Sequence, residues 1–264
     1  MPVFEFSPSC YINYRDENAS SPCPVLLLHG LGANSMSWLF QIPVLQQCGF
    51  RSIAPDAPGF GKSSYPGGRA VIHSFVEPVS ALIDNLRIQH LDVVGISMGG
   101  TIALQLALDH PRIVSRLVLV NTFAHLNVTS PSSLPYYLLR FILVHTLGLE
   151  TQANTVAKHI FPYKEQELLR NGLIEQVMQA DPRAYRAAMR ALARFDVRNR
   201  LNGIKCPTLI ITGERDTTVS IGIQNQLVAG ITGAQHVVIC DAGHAVTVEK
   251  PDIFNQVLVE FLSN

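Results

Sequence analysis

Gly95-Ile96-Ser97-Met98-Gly99 places a hydroxyl between two glycines, after the apolar run Leu91 to Val94 and before a helix-forming segment. Ser97 therefore falls on a strand-to-helix turn. A sharp turn of this kind lifts its side chain clear of a sheet, and glycine on either side gives the backbone room to bend. An alcohol is a weak nucleophile near neutral pH unless a base takes its proton, and that base must itself be oriented. Asp241-Ala242-Gly243-His244 follows a late apolar run and offers His244 as the base. Gly213-Glu214-Arg215-Asp216 follows the run Thr208 to Thr212 and offers Asp216 as the orienting acid, with Glu214 as its competitor. Attack on an acyl carbon also needs two N–H groups about 3 Å from the oxygen that becomes negative. Leu31, in His29-Gly30-Leu31-Gly32, and Met98 are the candidates for that oxyanion hole. Taken singly, these segments also read as a Gly-Ser turn, a loop acid and a strand end. Their coincidence is what points to nucleophilic acyl chemistry.

The elements that would position these groups are legible as short apolar runs ending in Gly, Pro or Asn: Val25 to Leu28, Arg51 to Ala54, Leu91 to Val94, Arg116 to Val120, Thr208 to Ile211 and Val237 to Cys240. Such runs read as buried parallel strands. Val3 to Phe6 and Cys10 to Tyr14 add an opening antiparallel hairpin with Pro8 and Ser9 at its turn. Helical periodicity marks Phe75 to Leu86, Met98 to Leu108 and Pro251 to Leu262. The expectation is an α/β fold: a mostly parallel eight-stranded sheet flanked by helices, with a helical cap inserted after the sixth strand. The boundaries are 1–122 and 201–264 for the core and 123–200 for the cap. Leu134 to Leu149, the most apolar stretch, is interrupted by Arg140 and His145 and reads as one soluble helix. It falls short of the roughly 18 uncharged residues that a membrane span requires.

Composition narrows the function classes. Twenty Lys and Arg balance twenty Asp and Glu over 264 residues, without a basic run, which argues against nucleic acid as a partner. The five scattered cysteines suit a reducing compartment, and the N-terminus has no basic start leading into an apolar stretch, so a cytoplasmic location is expected. Asn18-Ala19-Ser20 and Asn127-Val128-Thr129 match the glycosylation sequon, a pattern short enough to recur by chance. No metal-ligand spacing appears. Gly61-Lys62-Ser63 mimics the end of a phosphate-binding loop, but Asp56 stands where that loop needs glycine.

Through His29 to Gly32, Asp56 to Ser63, Gly95 to Gly99, Gly213 to Asp216 and Asp241 to His244, the chain resembles the α/β-hydrolase fold superfamily. It looks most like the small cofactor-free esterases, enol-lactonases and carbon–carbon bond hydrolases with a helical cap. The order Ser97, Asp216, His244 matches that of the superfamily, and Asn121 stands at the other place where the fold sometimes keeps its acid. The resemblance implies a cofactor-free serine hydrolase that cleaves a small carboxylic ester, lactone or thioester through an acyl-enzyme on Ser97. A carbon–carbon bond hydrolase or perhydrolase with the same triad, and a slow-turnover ligand sensor, are the alternatives. Phe123, Leu126, Tyr137 and Phe141 are the candidate substrate contacts, and a small molecule is the expected partner; homo-oligomerisation stays open. Arg140, Arg186, Arg190 and Arg194 read as solvated helix faces, with recognition of a substrate carboxylate as the second reading.

Overall fold

The computed structural model describes residues 1–8, 10–126, 128 and 134–264. The opening-turn residue Ser9 and the sequon residues Asn127 and Thr129 lie outside the described residues. Eight strands form one sheet: β1 (Val3–Ser7), β2 (Cys10–Glu17), β3 (Pro24–Leu28), β4 (Arg51–Pro55), β5 (Leu91–Ile96), β6 (Val114–Val120), β7 (Thr208–Gly213) and β8 (Gln235–Ile239), in spatial order β1-β2-β4-β3-β5-β6-β7-β8. The β1–β2 and β2–β4 pairs are antiparallel and every other pair is parallel. The chain runs from β3 outward to β4, then returns to place β5 on the other side of β3. That reversal opens a crevice at the carboxyl ends of β3 and β5, where ligands bind in open α/β sheets.

Alternation along the strands divides the core. Leu26, Leu28, Val93, Leu117, Leu119 and Ile210 pack on one face, while Val25, Leu27, Val94, Val118, Val120, Leu209 and Ile211 pack on the other. Side chains of successive strand residues point to opposite faces, so apolar residues at every position bury both. Among the described residues ten α-helices accompany the sheet: α1 (Ile42–Gln47), α2 (His73–Asn85), α3 (Met98–Asp109), α4 (Leu134–Thr146), α5 (Gly148–Ile160), α6 (Glu167–Met178), α7 (Pro182–Arg194), α8 (Ile221–Gly230), α9 (Val246–Glu249) and α10 (Pro251–Ser263). Residues of α2, α3 and α8 join the first face; Ile42 and Leu45 of α1 and Phe254, Leu258 and Phe261 of α10 join the second. Each buried Leu, Val or Phe contributes about 1.5–3 kcal/mol relative to exposure.

Helices α4 to α7 lie between β6 and β7. The chain leaves and re-enters the sheet side by side there, with an antiparallel bridge between His125 and Asp196 and a hydrogen bond from Val197 N to Ala124 O (3.0 Å). The expected single helix over Leu134 to Leu149 is two helices, because Gly148 takes φ = +83° and turns the chain before α5. The α6–α7 connection docks on the core through Asn34, whose amide donates to Gln179 Oε1 (3.2 Å), and through Asp181 N, which donates to Gly59 O (2.8 Å). Among the described residues no helix is long and apolar enough to cross a membrane.

Candidate active site

Ser97 is the residue between β5 and α3, and its backbone is strained: φ = +54°, ψ = −116°. A non-glycine residue in such a region costs on the order of 1–3 kcal/mol and persists only where its surroundings over-determine it. They do so here. Ser97 N donates to Val120 O (2.9 Å), and Ser97 O accepts from Thr122 Oγ1 (2.7 Å) and Thr101 N (3.2 Å). A side chain on Gly95 or Gly99 would collide with the neighbouring backbone, Gly99 with the carbonyl of Leu28, so the glycines let α3 start against β3. The N-terminus of α3 thereby directs partial positive charge at the turn.

His244 and Asp216 meet although the sequence separates them by 28 positions: Nδ1 lies 2.9 Å from Asp216 Oδ2, with the His and Asp side chains 9% and 0% exposed. With a carboxylate as acceptor, Nδ1 carries the hydrogen and Nε2 keeps its lone pair. The other oxygen, Asp216 Oδ1, accepts from Thr218 N (2.8 Å) and Val219 N (3.0 Å), which fixes the carboxylate. Glu214, the competing acid, is exposed and accepts from Asp241 N (3.0 Å) instead.

Leu31 follows β3 across the crevice from Ser97, and Met98 is the first residue of α3. Neither backbone N–H has a hydrogen-bond partner among the described residues. The loop that carries Leu31 is pinned from beneath by His29. Ala57 N donates to His29 Nε2 (2.9 Å), so Nδ1 carries the hydrogen and donates to Gly30 O (2.8 Å). Burial holds the His29 pKa below its ordinary 6.5 and keeps the ring neutral, as that bonding requires. Asp56, also buried, accepts from Ser35 N (2.8 Å), Lys62 N (3.0 Å) and Asn13 Nδ2 (3.1 Å), tying the turn over 56–63 to the same loop.

Ser97, His244, Gly30 and Leu31 line one cavity of about 520 Å³, within the range of small-molecule sites. Phe123, Leu126, Tyr137 and Phe141 line it too. Burial pushes the Tyr137 hydroxyl up to about 12, so it stays protonated. Among the described residues no group of three or more His, Cys, Asp or Glu is arranged to hold a metal ion.

The model of a family described as alpha/beta hydrolase fold matches residues 24–251. The chain belongs to that family. It is 29% identical over 263 residues to 3-oxoadipate enol-lactonase 2 of Acinetobacter baylyi, covering 97% of this chain and 96% of the relative. It is 30% identical over 255 residues to the 2-hydroxy-6-oxo-6-phenylhexa-2,4-dienoate hydrolase of Burkholderia cepacia, covering 91% of this chain and 87% of that one. The solved structure of the enol-lactonase from Burkholderia xenovorans superposes with a TM-score of 0.90 at 26% identity, covering 100% of both chains.

Two residues of this hydrolase-fold site have roles that the sequence does not reveal. Asn121, at the end of β6, takes φ = +43° and ties the two loops together. Its Nδ2 donates to Gly243 O (3.0 Å) and His244 O (2.8 Å), and its Oδ1 accepts from Gly213 N (2.8 Å). Glu249 clamps the His244 loop from the other side, accepting from Gly243 N and Ala245 N, each at 3.0 Å. Burial raises its pKa. A polar residue directly after a central strand, and an acid five positions after His244, are the signals that would have found them. Of the four arginines taken as solvated, Arg190 and Arg194 are exposed, at the cavity wall, and Arg186 is half-buried. Arg140 departs from the expectation, being 7% exposed and lining the cavity.

Proposed function

We propose that the chain is a serine hydrolase that cleaves a small carboxylic ester, lactone or thioester through an acyl-enzyme on Ser97. The observation that carries this reading is a strained Ser97 facing the same cavity as His244, whose far nitrogen is held 2.9 Å from Asp216. Ser97 Oγ gives its proton to His244 Nε2 and bonds to the substrate's carbonyl carbon, whose π pair moves to oxygen. The Leu31 and Met98 amides receive that oxyanion, and losing one such donor costs about 3 kcal/mol in the transition state. Collapse of the intermediate breaks the bond to the leaving alcohol or thiol, which takes the proton from His244. Water then gives its proton to His244, attacks the acyl carbon and releases the acid, restoring Ser97. Asp216 keeps the imidazole in the required tautomer and offsets its transient positive charge.

The relatives named as an enol-lactonase and a dienoate hydrolase support hydrolysis as the reaction class. In this reading the segment 123–200 is a cap that sets selectivity, with Phe123, Leu126, Tyr137 and Phe141 against the acyl group, and the free cysteines fit a reducing cytoplasm. Turnover of p-nitrophenyl butyrate by Ser97→Ala tests the assignment. The expected loss is about a millionfold in kcat with an unchanged circular dichroism spectrum; undiminished turnover refutes it.

A further inference from the structure

The cavity beside Ser97 is walled mainly by apolar side chains, yet three arginines, Arg140, Arg190 and Arg194, line it and no Asp or Glu does. Arg140 is the unusual one. It projects from α4, is 7% exposed, and has no carboxylate within ion-pair distance. The residues outside the description (Ser9, Asn127 and 129–133) include no acid that would supply one. By contrast Arg51, whose side chain is 14% exposed, is paired with Asp16 at 2.7 Å.

The groups that do touch Arg140 are neutral. Nη2 donates to Tyr185 Oη (3.0 Å). With the Gln152 amide turned so that its oxygen faces the guanidinium, Oε1 accepts from Nε (2.9 Å) and Nη2 (3.2 Å). The Tyr136 ring lies 5.6 Å from the guanidinium carbon. Burial raises the pKa of both Tyr136 and Tyr137, so neither phenol serves as a counter-ion. A guanidinium stays charged in proteins, and a buried charge without its opposite is among the most costly arrangements a fold can hold. Nη1 has no acceptor among the described residues, and Tyr136, a residue of the cavity wall, holds its hydroxyl buried without a hydrogen-bond partner. Two unsatisfied donors and one uncompensated positive charge thus belong to neighbouring side chains of one cavity wall. A planar carboxylate answers all three at once.

Resting on the serine-hydrolase reading of this site, we propose that the cavity selects substrates bearing a free carboxylate, which Arg140 binds with Tyr136 as second donor. The natural substrate is then a small, largely apolar ester or lactone with a carboxylate on the part of the molecule remote from the bond that breaks. If Arg140 served only to pin α4 to α5 and α7, the cavity would not distinguish a carboxylate from its neutral methyl ester.

The test compares mono-p-nitrophenyl glutarate with its methyl ester on the wild-type chain, Arg140→Gln and Arg140→Lys. The proposal expects the free acid to be favoured in kcat/KM by about 10- to 100-fold in the wild type, as a charge-assisted hydrogen bond provides. Arg140→Gln abolishes that ratio and Arg140→Lys keeps part of it. Equal turnover of the two esters by the wild type, or an unchanged ratio in Arg140→Gln, overturns the proposal while leaving the hydrolase reading intact. Calorimetry of monomethyl glutarate with Ser97→Ala separates the two claims, since binding needs no turnover. Binding there that is weakened at least about tenfold by Tyr136→Phe supports the carboxylate site even if Ser97 proves not to be the nucleophile and Arg140→Gln does not fold. No binding overturns it.

Discussion

Around Ser97 the backbone has no spare volume: a Cβ on Gly95 would strike the Gly99 carbonyl, one on Gly99 the Leu28 carbonyl, and one on Gly100 the side chain of Thr122. In the inserted helices, Gly148 and Gly172 meet nothing within 4 Å. The same contrast runs through the helices themselves. Ten of the twelve residues of α3 are buried, whereas α4 buries only Arg140, Leu143 and Val144 and exposes Leu134, Leu138, Leu139, Phe141 and Ile142. The end of the site that would do the chemistry is held by backbone packed on backbone, where almost no substitution fits. The end that would choose the substrate includes side chains on α4, a loosely covered helix. Selectivity can change there without moving the Ser97 turn.

The sharpest way to break this contrast is Gly99→Ala. The added methyl has to displace the end of β3, so stability should fall by about 3 kcal/mol or more in urea titration. A loss under about 1 kcal/mol would show that the turn is not over-determined. Acidification probes the same region more gently. The folded-state pKa of His29 lies below its ordinary 6.5, so the unfolded chain takes up the proton first. The stability it contributes is complete above that ordinary value and is lost as pH falls through it toward the folded value. His29→Asn should therefore flatten the decline of the urea midpoint between about pH 7 and 5.5, and an identical slope in the variant would remove His29 from the account. The smallest effect belongs to the insertion. Gly172→Ala, inside α6 with open space around it, should stabilise by about 0.5–1 kcal/mol. A destabilising result there would mean that the insertion is as tightly constrained as the turn.

The strands themselves and the seryl turn were readable because both are written locally. Apolar runs ending at Gly or Pro mark strands, and the glycines flanking Ser97 mark the tight approach of α3. The break at Gly148 was not readable, since Leu134 to Leu149 is apolar on both sides of it and only the positive φ of the glycine divides the helices. The role of Asn121 as a tie between loops was missed for another reason. Asn121 acts across more than a hundred positions, on Gly243 and His244, and a side chain's partner at that separation leaves no trace in local spacing. Arg140 looked like a solvated helix residue because its neighbours in sequence permit that. Its burial arises from α5 and α7, through Gln152 and Tyr185, which only the folded arrangement brings to it.

The central claim is that Ser97 is a nucleophile activated by His244. Labelling with a fluorophosphonate, followed by peptide mapping, tests it most directly, because the reagent bonds covalently only to an activated hydroxyl. One adduct is expected, on the peptide containing Ser97, absent in Ser97→Ala and strongly suppressed in His244→Ala. No adduct, an adduct on another residue, or full labelling without His244 would contradict it.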